Sequence, residues 1–190
     1  MPKLIEDDTV FHAVIDTLAA YGYTCATTRS IAEAADMHEA TLFRKYGSKF
    51  YLVEQAVGNL FIEVPLAKVM YTGNLRADLI SIIEAYLETS EMVGDILPIL
   101  LTEIPRNPEI KSLLDIPWKN IVNISRILEK YQEHGELKQE HVLTSISVLL
   151  GPLMVRHMIL RADLDVQIPP VEAEKFIDSF LLGRQEKSTG

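Results

Sequence analysis

Residues 27–49 read TTRSIAEAADMHEATLFRKYGSK, and this stretch decides the fold. Thr27 or Thr28 can cap a short helix, RSIAEAA, whose Ile31, Ala34 and Ala35 point inward. Asp36-Met37 breaks the pattern for a turn. His38 opens a second short helix that runs to Tyr46 and is buried by Leu42, and Gly47-Ser48 ends it. A helix, a tight turn and a second helix ending in basic residues is the spacing of a helix-turn-helix, whose second helix lies in the major groove of DNA.

Working outward, the pattern stays helical. Val10, Phe11, Val14, Ile15 and Leu18 form the stripe of an amphipathic helix that stops near Gly22. Ser48 caps a fourth helix with Leu52, Val53, Ala56, Val57, Leu60 and Phe61 on one side. Pro65 and YTGN (71–74) punctuate a transition. Beyond it the periodicity predicts helices at roughly 75–90, 92–103, 108–134, 139–161 and 170–183, with a kink at Pro152. No alternating strand pattern survives more than four residues. The predicted fold is all-α: a three-helix DNA-binding domain with its linking helix over 1–63, and a helical domain over 64–190.

Charge sharpens the reading. The chain holds 18 basic and 27 acidic side chains, a net −9. Residues 40–49 nevertheless carry three basic groups, Arg44, Lys45 and Lys49, and no acid. Non-specific DNA affinity is largely electrostatic, so a DNA surface here must be small and local. The N-terminal MPKLIEDD lacks the order of a signal peptide. The uncharged run from Val142 to Val155 is interrupted by Thr144, Ser145, Ser147, Gly151 and Pro152 and falls short of the ~20 apolar residues needed to span a bilayer. One cysteine, Cys25, suits a reducing compartment, and the expected location is cytoplasmic without membrane attachment.

The string GYTCATTRSIAEAADMHEATLFRKYGSKFYLVEQAV (22–57) resembles the DNA-binding domain of the tetracycline-repressor (TetR) family of bacterial regulators. Gly-Tyr ending the first helix, T-T-R-S-I-A opening the second, and T-L-F-R-K-Y-G-S-K across the third and fourth carry the likeness. The remainder resembles the family's ligand-binding and dimerisation domain loosely, through EIPRNPEI and EHGELK. The resemblance implies a ligand-responsive homodimer, in the repressor mode, on a near-palindromic double-stranded operator. Phe43 stands where the family often has a phosphate-binding tyrosine, and Asp36 where it usually has glycine.

Thr27 and Thr28 lie where hydroxyls and free N–H groups suit a phosphate, or simply cap the helix. Arg29 is placed to read a guanine or touch phosphate. His38, Glu39, Ala40 and Thr41 begin the recognition helix: His38 donates to DNA or caps, Glu39 accepts from a cytosine amine or repels phosphate, and Ala40 meets a thymine methyl. Phe43 offers apolar contact, Arg44 is the base-edge candidate, Lys45 a phosphate candidate, and Lys49 matches the family's phosphate-anchoring lysine. Tyr86, Met92, Trp118, Met154, His157 and Met158 are adaptable or aromatic side chains suited to packing or to a cavity for a small, largely apolar effector. The last two long helices would build a dimer interface, with Ser145, Leu149, Pro152, Phe176 and Phe180 as candidate contacts.

Enzymatic readings find no support. There is no phosphate-binding glycine loop and no nucleophile elbow. His134 and His141 straddle a glycine turn, which suits a solvated loop better than a metal site, so neither catalytic residues nor cofactors are expected. The alternative from another class is an all-α small-molecule-binding or interaction protein that keeps the helix-turn-helix as scaffold only.

Overall fold

A computed structural model describes residues 7–162 and 164–184; the expected domain limits at 1 and 190 and the MPKLIE reading lie outside them. Nine α-helices are present among the described residues: α1 Asp7–Cys25, α2 Thr28–Ala34, α3 Glu39–Tyr46, α4 Lys49–Ile62, α5 Leu75–Val93, α6 Ile96–Glu103, α7 Asp115–Glu133, α8 Val142–Arg161 and α9 Ala173–Leu181. Two 3-10 helices, Pro65–Lys68 and Pro108–Leu114, begin at prolines that cannot donate to a preceding carbonyl. The described residues contain no β-strand beyond an isolated bridge at Leu137.

The chain forms two compact units. The first joins Met1–Glu63 to Val93–Trp118, and the second joins Val64–Met92 to Lys119–Gly190. The boundary after Glu63 is therefore one of three crossings, and α5 and α7 each run through another.

In the first unit α1 packs against α2, α4 and α6. Its stripe Val10, Val14 and Leu18 is fully buried with Ile31, Leu42, Leu52, Val53, Val57, Ile96, Leu100 and Ile110. Each such side chain contributes about 1.5–3 kcal/mol through burial. Gly22, at φ 71°, interrupts α1, so the sequence stop at this position is a kink followed by one more turn. A Cβ on Gly58 would stand 3.0 Å from Ile116 Cδ1, so α4 passes close to that side chain here.

In the second unit the buried Asp78 accepts hydrogen bonds from Tyr131 Oη and from the amide (2.8 Å) and hydroxyl of Thr72. Arg76 ties α5 to α9 through Glu174 and, at 2.7 Å, Asp178. Helix α8 is continuous through Pro152. By length and composition alone the whole helix would pass for a membrane span, a test that a core helix of a soluble protein also passes, while the uncharged run inside it stays shorter than a span. Its small polar residues do not shorten it, because their hydroxyls are absorbed locally, as when Ser147 donates to Leu143 O at 2.6 Å. One side of α8 (Ser145, Ile146, Leu149, Leu150, Leu153) is buried in its own unit.

Candidate nucleic-acid interface

The helix-turn-helix is assembled by local chemistry. Thr27 caps α2: its Oγ1 accepts from Ser30 N at 3.0 Å, and Ser30 Oγ accepts from Thr27 N at 2.9 Å, a reciprocal capping box. Asp36 turns the chain at φ 53°, the single positive φ of a non-glycine residue among those described. An L-residue adopts that region at a cost that aspartate bears better than most. Met37 N donates to Ala32 O at 2.9 Å and closes the turn. Helix α3 ends at Gly47, φ 76°, whose N–H donates to Phe43 O at 2.7 Å. Ser48 then caps α4.

Leu42 and Tyr46 are the inward face of α3. At 100° per residue, Ala40 and Arg44 lie opposite them. His38, Glu39, Ala40, Phe43, Arg44 and Lys45 are all exposed, and Thr41 is half-buried. Phe43 leaves 61% of its surface in solvent. Arg44 has no hydrogen-bond or ion-pair partner among the described residues. His38 makes no side-chain capping bond.

Other candidates are already engaged within the chain. Thr28 Oγ1 donates to Glu39 Oε1 at 2.5 Å, bridging α2 to the start of α3, so these two side chains form one unit. Arg29 pairs with Glu33 at 3.0 Å, both strongly exposed. Lys45 Nζ lies 2.7 Å from Asp7 Oδ1, and Tyr46 Oη donates to the same carboxylate. The hydrogen bond from Lys45, reinforced by that from Tyr46, holds the Asp7 carboxyl below its usual value. Lys49 Nζ donates to Tyr23 O at 2.7 Å and Ala26 O at 2.9 Å and sits 4.2 Å from the Tyr23 ring centre. Burial pulls this ammonium below the ordinary lysine value. An ammonium has three donors, so one remains for an external acceptor.

Asp7 was not foreseen as a partner of α3. An acidic first turn of α1 reads as ordinary helix-dipole compensation, and a separation of thirty-eight positions from Asp7 to Lys45 carries no periodic signal.

A groove of about 290 Å³ lies within the second unit, between the last turns of α5 and α8. Tyr86, Leu87, Ser90 and Glu91 line one side, and Leu153, Arg156, His157, Leu160 and Arg161 the other. Of the six side chains read as cavity candidates, Tyr86 and His157 are there. Met92, Trp118, Met154 and Met158 do not line it and are exposed. The 100° helical step accounts for two of them, since Met154 and Met158 fall on a flank of α8 away from Leu153, His157 and Leu160. Arg156 and Arg161 went unnoticed, although two arginines in an otherwise almost uncharged helix were the available signal.

Among the interface candidates, Ser145, Leu149 and Phe180 are buried inside the unit. Phe176 is half-buried, and Pro152 is exposed in a stripe of α8 with Thr144, Val148, Val155 and the half-buried Gly151. Among the described residues, no group of three or more His, Cys, Asp or Glu could hold a metal ion.

No protein-family model matches the sequence. An uncharacterised HTH-type transcriptional regulator of Mycobacterium tuberculosis is 28% identical over 178 residues, covering 91% of this chain and 84% of the relative. YvkB of Bacillus subtilis, also described as an uncharacterised HTH-type transcriptional regulator, is 33% identical over 94 residues, half of each chain. A crystal structure of a TetR-family transcription regulator from Marinobacter aquaeolei superposes with a TM-score of 0.71 at 15% identity, covering 95% of this chain and 96% of the other. Helix order, turn geometry and these likenesses agree: the chain has the all-α fold of the tetracycline-repressor (TetR) family regulators and is similar in sequence to helix-turn-helix transcriptional regulators.

Proposed function

We propose that this protein is a cytoplasmic, ligand-responsive transcriptional regulator that represses by binding a near-palindromic operator as a two-fold homodimer. The observation that carries the reading is the outer face of α3. In a chain of net charge −9, this face exposes His38, Ala40, Phe43 and Arg44, which has no partner among the described residues, with no acid but Glu39, which Thr28 restrains. Arg44, opposite the buried Leu42 and Tyr46, is the base-reading residue, and a guanidinium suits guanine O6 and N7. Ala40 meets a thymine methyl, while Thr27, Thr28, His38 and Thr41 serve the backbone or nearby base edges. Lys45 and the third donor of Lys49 are directed to phosphates.

The exposed α8 stripe supports the dimer. Thr144, Val148, Gly151, Pro152 and Val155 recur at steps of three and four, which lets two such helices approach closely. A dimer must set its recognition helices about one DNA turn (~34 Å) apart. The effector occupies the second unit, and α5 and α7, which contribute residues to both units, are the covalent route by which its binding changes that spacing.

Selection of bound fragments from a random double-stranded DNA pool tests the reading. A recovered two-fold motif with half-sites about one turn apart supports it. Failure to enrich any motif at low salt, with folded protein, sinks it and leaves a binding protein that uses the helix-turn-helix as scaffold.

A further inference from the structure

The groove between α5 and α8 combines two chemistries. Leu87, Leu153 and Leu160 with the Tyr86 ring give it apolar walls, while Arg156 and Arg161 make its α8 side cationic against a single acid, Glu91. Arg156 is the informative member. Its Nη2 donates to Pro169 O at 3.0 Å, which fixes the guanidinium. Its Nε is buried and finds no hydrogen-bond partner among the described residues. Buried donors are almost always satisfied, and an unsatisfied one calls for an explanation. The guanidinium lines the groove, and a wholly apolar occupant would strip solvent from its positive charge without replacing it. An anionic oxygen seated against the guanidinium would compensate that charge, and guanidinium geometry favours a carboxylate.

We propose that this groove binds an anionic amphipath, its carboxylate held by Arg156 and its hydrocarbon part laid against Leu87, Leu153 and Leu160. This deepens the effector role proposed above and replaces a largely apolar ligand by a charged one. The groove lies on the flank of α8 away from the Thr144–Val155 stripe, so occupancy and dimerisation use different faces of one helix.

The test compares octanoate, 1-octanol and octylammonium, titrated calorimetrically into the full chain without DNA. Octanoate is expected to bind at least tenfold more tightly than either neutral or cationic probe. Arg156→Gln should remove that preference while leaving the octanol affinity within twofold. Arg156→Lys, which keeps the charge but loses the fork, should retain part of it and guards against a variant that fails to fold. Equal binding of octanoate and octanol, no binding of any probe, or an unchanged octanoate affinity in folded Arg156→Gln each overturns the proposal. Because no DNA is present, these outcomes are independent of the operator selection: octanoate binding without an operator would preserve the site and remove the regulator.

Discussion

Lys49, the first residue of α4, donates to the main-chain carbonyl of Tyr23 at 2.7 Å while its ammonium lies 4.2 Å from the centre of the same residue's ring. With the second bond to Ala26 O, this fastens α4 to the junction of α1 and α2. Lys49 therefore positions the helix-turn-helix before it meets any phosphate. Lys49→Ala is expected to lower stability by about 2 kcal/mol, the scale of charge-assisted hydrogen bonds in a half-buried site. Urea unfolding would show this, and a midpoint unchanged from wild type would mean the two carbonyl bonds contribute nothing.

Lys45 and Arg44 should separate cleanly from it. Lys45→Ala is expected to weaken binding to all DNA sequences alike and reduce the salt slope by about one, at little cost in stability. Arg44→Ala should instead relax one base position per half-site by ~1–3 kcal/mol. Binding of wild type and variants to a panel of singly substituted operators distinguishes the two. Identical uniform losses would refute the division of roles.

Asp7 links α1 to α3 through Lys45 and Tyr46, and its carboxyl is held below the usual value. A depressed carboxyl contributes stability above the unfolded pKa and loses it as pH falls through the folded one. The wild-type advantage over Asp7→Asn should thus be present at neutral pH and shrink below the ordinary aspartate value of 3.8. Thermal melts of both proteins from neutral pH down into that range provide the measurement; a constant gap across it would exclude the linkage.

The turn at Asp36 makes a further demand. Its φ of 53° is tolerable for aspartate and strained for a β-branched residue. Asp36→Val should cost about 1–2 kcal/mol. Asp36→Gly should fall within ~1 kcal/mol of wild type, because relief of strain is offset by a more flexible unfolded chain. Equal stability of the valine and glycine variants would show that the turn relaxes.

A charge placed in the α8 stripe tests the assembly. Val155 is 52% exposed in the chain taken alone, so Val155→Arg should leave the fold intact and yield a monomer in sedimentation at micromolar concentration. A wild-type monomer under those conditions, or an undisturbed variant dimer, would place the interface elsewhere or nowhere.

Legibility in the sequence followed the range of the signal. Helix existence, a threonine cap at Thr27 or Thr28, the turn at Asp36 and the inward side of Leu42 depend on residues within four positions of one another, and these were readable; which threonine caps was not. The partners of the basic residues were not. Lys45 meets Asp7 from the far end of α1, Lys49 meets carbonyls of the α1–α2 connection, and Thr28 reaches Glu39 across the turn. Charge counting placed all three cations on one positive window, but pairing depends on tertiary proximity. The cavity showed the same limit: adaptable side chains were read by type, whereas the 100° step decides that Met154 and Met158 turn away while Arg156 turns in.

The membership of Val93–Trp118 in the first unit bears on how the protein is born. Ile96, Leu100 and Ile110, all fully buried, belong to the same core as Val10 and Leu18 but leave the ribosome long after them. At about 5–20 residues per second, the stretch from 64 to 118 takes roughly 3–11 s to synthesise. For that interval the part of α1 that α6 covers stays open to water, and this unit is completed only by a segment made after part of the other has emerged.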